Sequence, residues 1–266
     1  MINYTEIAMS EFSKAVDEVF SSNNITKAEV ISIVKQMSRI SFSRFSKSDS
    51  LYFSLDHVLN SGKIGLEIIY SIMSKNGTVR DGTIINLMAS ILFCNIGIIK
   101  GVLPTDQIGR YLTSEDNYLK SSNDGTGSEL WKYKKFRSKS FLQSSAYLTA
   151  ILNEEILSDA IDCSDIFEQN EDKKTNYGMV QQYSRAAQVI TLMSSSNYRR
   201  SITELFYSAE EGGVLDAVLC TTIGDFRQKF PQFFWNTLFP DIAETVLVLR
   251  ETDRGRDIIS QVYAHL

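Results

Sequence analysis

The sequence predicts an all-α fold, and three observations carry that expectation. Three prolines and fourteen glycines in 266 residues are too few for many short strands joined by tight turns. Apolar residues recur at three- and four-residue intervals in segment after segment. No stretch alternates long enough to defend as a strand, and no internal repeat is visible. With 43% hydrophobic residues, the chain can bury a large core as a single domain.

Ile7, Phe12, Val16 and Phe20 mark a first helix over 4–20. Ser21-Ser22-Asn23-Asn24 supplies a turn, and Thr26-Lys27-Ala28-Glu29 reads as a capping box before Val30, Ile31, Ile33 and Val34. The Ser- and Lys-rich segment 41–50 reads as a loop or frayed helix end. The first 48 residues are thus expected to form a helical extension packed on a main domain of residues 49–266. Residues 51–74 read as one long helix, either unbroken or broken near Gly62 or Gly65, with an end at Asn76-Gly77. The segment 81–99 is apolar on nearly all sides and should be the central helix, stopped by Gly101 to Pro104.

Residues 114–128 read as a long polar loop, a lid or an insertion. Helices are expected over 136–157, 178–193, 202–211, 226–249 and 252–264, with Pro231 and Pro240 at helix starts. The acidic segment 162–175 reads as a solvated connection.

Composition narrows the function classes. A net charge of −5 and a pI near 5.2 argue against general nucleic-acid binding, which calls for a basic face. The N-terminus lacks the basic and apolar regions of a secretory signal. The apolar stretch 84–99 is interrupted by Asn86, Ser90, Asn95 and Gly97, so no membrane span is expected. Cys94, Cys163 and Cys220 are odd in number and widely spaced, which fits a reducing, cytoplasmic compartment. No Gly-x-Ser-x-Gly and no phosphate-cradling glycine loop occurs; Asp124-Gly125-Thr126-Gly127-Ser128 has no following Lys in register.

The chain contains only two histidines, His57 and His265. His57 stands in Asp56-His57-Val58-Leu59-Asn60, and a second apolar segment carries Leu92-Phe93-Cys94-Asn95-Ile96-Gly97 followed by Lys100. Phe136-Arg137-Ser138-Lys139 opens a later helix, and Ser184-Arg185-Ala186-Ala187-Gln188 lies in another. Over residues 50–266 this pattern resembles the HD-domain metal-dependent phosphohydrolases. The aromatic stretch from Phe230 to Pro240 resembles the C-terminal segment of bacterial members, many of them cyanobacterial.

The resemblance implies an HD-like helical bundle in which a His from one helix, a His-Asp pair from a second and an Asp from a later one hold a divalent cation. That cation would polarise a phosphoryl oxygen and activate water. On this matching His57 remains, Cys94 replaces His, Asn95 replaces Asp, and Gln188 replaces Asp. Two carboxylates have become neutral amides, which removes most of the electrostatic hold on a dication.

The resemblance therefore implies a catalytically degenerate protein with no cofactor, binding a phosphorylated small molecule or a protein partner without hydrolysing it. His57, Lys100, Arg137, Lys139 and Arg185 are the expected ligand-binding residues. Asn95 and Gln188 are expected to hydrogen-bond each other or His57 and seal the old site.

Two alternatives stand beside this reading. One is an active phosphohydrolase on a nucleotide or phosphomonoester, with zinc, manganese, iron or magnesium held by His57, Cys94 and non-standard ligands. The other is a helical interaction module that docks a partner or a second copy through its aromatic C-terminal region or its N-terminal helices. The run Trp131-Lys132-Tyr133-Lys134-Lys135-Phe136-Arg137 could stack and pair with nucleotides. Its plainer reading is a solvated helix start with a few aromatics tucked inward.

Overall fold

The computed structural model describes residues 3–21, 28–122, 124–168 and 178–266. The turn expected at 21–24 and the capping box opening at Thr26 fall largely outside these residues, as do Asn123 and the stretch 169–177 of the acidic connection.

The described chain is helical, as the periodicity predicts. Its helices are α1 (Tyr4–Ser21), α2 (Ala28–Phe45), α3 (Leu55–Asn76), α4 (Asp81–Phe93), α5 (Lys134–Ser144), α6 (Ala146–Ile151), α7 (Glu154–Cys163), α8 (Met179–Met193), α9 (Tyr198–Glu211), α10 (Ile223–Phe233), α11 (Phe239–Leu249) and α12 (Asp253–Ala264).

The centre is formed by α3, α4 and α8, which pack on one another. Every residue of α4 from Ile84 to Phe93 is buried, so this segment sits where its all-round hydrophobicity demands. The stretch Asp81–Ile98 is long and apolar enough to cross a membrane by composition, yet 78% of it is buried within this fold. Helices α1 and α2 cover α3 and α4, α11 covers α3 and α8, and α7 lies on α8. The N-terminal pair shares one continuous core with the rest, through Phe12, Phe20, Phe42 and Phe45.

Several boundaries differ from the sequence reading. Helix α3 does form as one long helix, unbroken because its two glycines serve packing rather than a kink. A Cβ on Gly62 would lie 2.7 Å from the Phe12 ring, and one on Gly65 would lie 2.5 Å from Ile91 Cδ1. The segment 41–45 is the last turn of α2, with Ser41, Phe42 and Phe45 buried; Ser41 Oγ donates to Leu92 O at 2.7 Å. The expected helix 136–157 is three helices, the second and third capped by Ser145 and Asn153. Pro240 does start a helix, but Pro231 lies inside α10, and a π-helical turn follows at Phe234–Leu238. Pro231 has no N–H to donate, and such turns accompany a disturbed helical ladder.

The polar segment 114–128 is not a structureless loop. It holds most of an antiparallel hairpin, β1 (Arg110–Ser114) with β2 (Asn117–Lys120), turned at Asp116 with φ 61°. A 3₁₀ helix follows at Gly127–Tyr133. Glu129 accepts from the Ser121 and Ser122 hydroxyls, each at 2.6 Å, which folds the segment back on itself.

Candidate functional site

His57 lies in the first turn of α3. Ser54 caps that helix, its hydroxyl accepting from His57 N at 3.2 Å. Across the centre, α4 ends at Cys94, and the chain turns through Asn95 into a short 3₁₀ helix, Ile96–Ile98. Gly97 makes the next step possible. A Cβ there would stand 2.2 Å from Lys134 O and 2.7 Å from Ser138 N, so only glycine lets this turn meet the start of α5. Three hydrogen bonds fix the meeting: Gly97 N to Ser138 Oγ at 2.9 Å, Ser138 Oγ to Cys94 O at 3.0 Å, and Arg137 Nε to Gly97 O at 2.6 Å.

That close approach delivers Lys134 to the end of α4. Lys134 Nζ donates to Asn95 Oδ1 at 3.1 Å. Asn95 Nδ2 donates to Gln188 Oε1 at 3.1 Å, and His57 Nε2 lies 3.0 Å from the same oxygen. The polarity of this chain follows from its first member. An ammonium has only donors, so Asn95 presents its oxygen to Lys134 and its amide nitrogen to Gln188. Gln188 then presents oxygen to His57, whose Nε2 must carry the proton. Nδ1 keeps its lone pair and has no hydrogen-bond donor among the described residues.

The expected bonds among His57, Asn95 and Gln188 thus form, but the cluster is not purely neutral. Asp165 Oδ2 lies 3.1 Å from Lys134 Nζ and accepts from Trp131 Nε1 at 2.9 Å. Asp165 Oδ1 accepts from Phe167 N at 3.0 Å. The ammonium also stands over the rings of Phe53 (5.0 Å) and Trp131 (4.9 Å). Lys134 is 2% exposed.

Burial pushes the Asp165 carboxyl up, but Lys134 and the donors from Phe167 and Trp131 outweigh it and hold the pKa below the usual value. Burial drives the His57 imidazole down to about 4; the Lys134 charge adds to this, while the Gln188 bond opposes it. Burial pushes the Cys94 thiol up to about 11, and its sulfur faces Ile91 O at 3.6 Å.

These residues do not suit a metal. Burial raises the cost of converting Cys94 to the thiolate a metal needs, and His57 Nε2 is spent as a donor to Gln188. Asn95 already faces a cation. Among the described residues, no three of His, Cys, Asp and Glu come together as ligands. The void inside the cluster is about 10 Å³, too small for a cation with its water and a phosphoryl group.

On another side His57 lines a cavity of about 470 Å³, between the start of α3, the end of α8, α9 and α12. Its polar walls include Ser54, Asn60, Ser196, Asn197, Ser201 and Gln261. Lys63, Arg200 and Arg254 stand at it with Asp56 and Glu204.

Of the expected ligand residues, only His57 belongs to this cavity. Arg137 donates five times: to Asp106 through both terminal nitrogens (2.9 and 2.8 Å), and to the carbonyls of Gly97, Ile99 and Leu112. No donor is left for a ligand. Arg185 bonds Asp241 at 2.8 Å and the carbonyls of Cys163, Asp165 and Glu168. Lys139 pairs with Asp162 at 2.7 Å. Lys100 donates to Gly125 O and faces Asp49 at 3.8 Å. The two arginines hold the fold from buried positions, and the two lysines are part-exposed and paired.

The sequence reading missed Lys134 and Asp165. A usable signal was the spacing Trp131-x-x-Lys134-x-x-Arg137, which places three large side chains on one face of the 3₁₀-to-α junction. All three are buried: Trp131 tucks inward as the plainer reading has it, Lys132 is exposed, and Lys134 and Arg137 are not solvated. The aromatic stretch near the C-terminus is mainly core: Phe230, Phe233 and Phe234 are buried. Trp235 is 44% exposed and stacks on Tyr263.

Fold and site together define a single all-α domain whose central histidine–amide cluster is closed from within by a lysine–aspartate pair. The chain belongs to the Npun_R2479-like family, which matches residues 2–266. No curated protein matches it, and no solved structure does.

Proposed function

We propose that this chain is a catalytically degenerate, HD-like helical domain that binds a phosphorylated small molecule without hydrolysing it. The observation that carries the reading is Lys134. Its ammonium stands 3.1 Å from Asn95 Oδ1, at the residue that the HD resemblance assigns to a metal-bound carboxylate. A fixed internal cation there repels a dication and removes the need for one. The cavity beside His57 supplies room for a small ligand, and its arginines can make charge-assisted hydrogen bonds to an anion.

The test is elemental analysis of the untagged full-length protein, before and after incubation with zinc, manganese, iron and magnesium, together with phosphomonoester turnover. The reading expects substoichiometric metal and no metal-dependent turnover. Near-stoichiometric metal that is lost in His57→Ala, with turnover that follows it, overturns the reading.

A further inference from the structure

We infer that the cavity beside His57 is built for a phosphorylated polyol, such as a sugar phosphate, rather than a nucleotide. This rests on the reading above and narrows it to a ligand class. Three features of the walls carry it.

The first is polarity fixed from within. The order Lys134, Asn95, Gln188, His57 places the imidazole proton on Nε2. His57, which lines the cavity, therefore keeps one acceptor, Nδ1, of the kind a ligand hydroxyl needs. The second is the density of small polar groups. Ser54 keeps its hydroxyl proton, since its oxygen only accepts from His57 N, and Asn60, Ser196, Asn197 and Gln261 line the same space. Such walls match several hydroxyls of one small molecule.

The third feature is the placement of charge and rings. Arg200 is 79% exposed and gives its Nε to Glu204. Arg254 is 57% exposed and lies 3.8 Å or more from its carboxylate neighbours, Glu67 and Glu18. Both can turn terminal nitrogens to a phosphate. Among the described residues no open aromatic face is offered, because the ring-bearing lining residues are Tyr52 and His57, which are both buried and pack on each other at a tilt, 4.6 Å apart. A nucleobase would find no described ring to stack on.

The experiment is isothermal titration of the full chain with ribose 5-phosphate, glucose 6-phosphate, ribose, inorganic phosphate and AMP. It is repeated on Arg200→Gln and Arg254→Gln, whose exposed side chains leave the fold intact. The expected result is binding of at least one sugar phosphate, about tenfold tighter than phosphate, ribose or AMP, and weakened about tenfold in each arginine variant. AMP binding as tightly as the sugar phosphates overturns the polyol assignment but leaves the binding function standing. Phosphate alone binding as well as its esters does the same. Sugar-phosphate binding unchanged in both variants overturns the placement in this cavity. No binding of any phosphorylated compound overturns both this inference and the proposed function.

Discussion

Acidification should weaken this protein through one residue, His57. An unfolded histidine titrates at 6.5, whereas in the fold burial holds this imidazole near 4. Between those values the unfolded chain is protonated and the native ring is not. Stability therefore rises with pH across the window. It is fully present above about pH 6.5 and drains away as pH falls toward about 4. Integrating the linkage from about pH 7.5 down to about pH 5 gives a loss of about 2 kcal/mol from this one group. That is a large share of a typical domain stability of about 5–15 kcal/mol.

The assay is urea unfolding followed by circular dichroism at several pH values, on the wild type and on His57→Gln. The substitution keeps a neutral donor for Gln188 but removes the titration. The difference between the two proteins should shrink by about 2 kcal/mol over that range, whatever the carboxylates contribute to both. Parallel pH dependences would refute the reasoning, since His57 would then not be held neutral by its surroundings.

Three further outcomes follow from the same packing. Lys134→Met should cost about 3–5 kcal/mol in urea unfolding, because Asp165 is left buried without its cation; adding Asp165→Leu should recover a substantial part of that loss. Arg137→Lys should destabilise by about 3 kcal/mol or more, because a lysine cannot make the fork to Asp106 or reach three carbonyls at once, while ligand affinity measured by titration stays unchanged. Gly97→Ala should cost about 3 kcal/mol in the same unfolding assay, since its Cβ would meet backbone atoms of Lys134 and Ser138 rather than movable side-chain ends.

Helix content was legible because apolar spacing is a local property. The helices expected over 81–99 and 178–193 form as α4 and α8, the first ending early at Phe93. Interruptions were less legible. The stop after Phe93 depends on Gly97 meeting α5, a contact that has no local signature. The hairpin 110–120 escaped notice because each strand is short and its turn is Glu115-Asp116, which lacks the usual Asn-Gly signal. It is held partly by Arg137 donating to Leu112 O at 2.7 Å, a tertiary bond.

At the site, the meeting of His57, Asn95 and Gln188 could be expected from the order of the motifs. The fates of the basic residues could not. A lysine or arginine reads as exposed until its buried partner is known, and Asp106, Asp165 and Asp241 carry no mark in sequence that pairs them with Arg137, Lys134 and Arg185. The cations that do stand at the cavity, Lys63, Arg200 and Arg254, lie outside every motif that carries the resemblance.

The most direct test of the account is the state of the His57 ring. Long-range proton–nitrogen NMR on protein labelled at its two histidines reports which nitrogen holds the proton, and zinc can be added to the same sample. The account predicts that His57 remains a neutral Nε2–H imidazole from about pH 8 to about pH 5 and that its spectrum does not change with zinc. A ring that titrates near its ordinary value, or whose nitrogen shifts as zinc binds, would contradict the sealed cluster from which the rest of the reading is built.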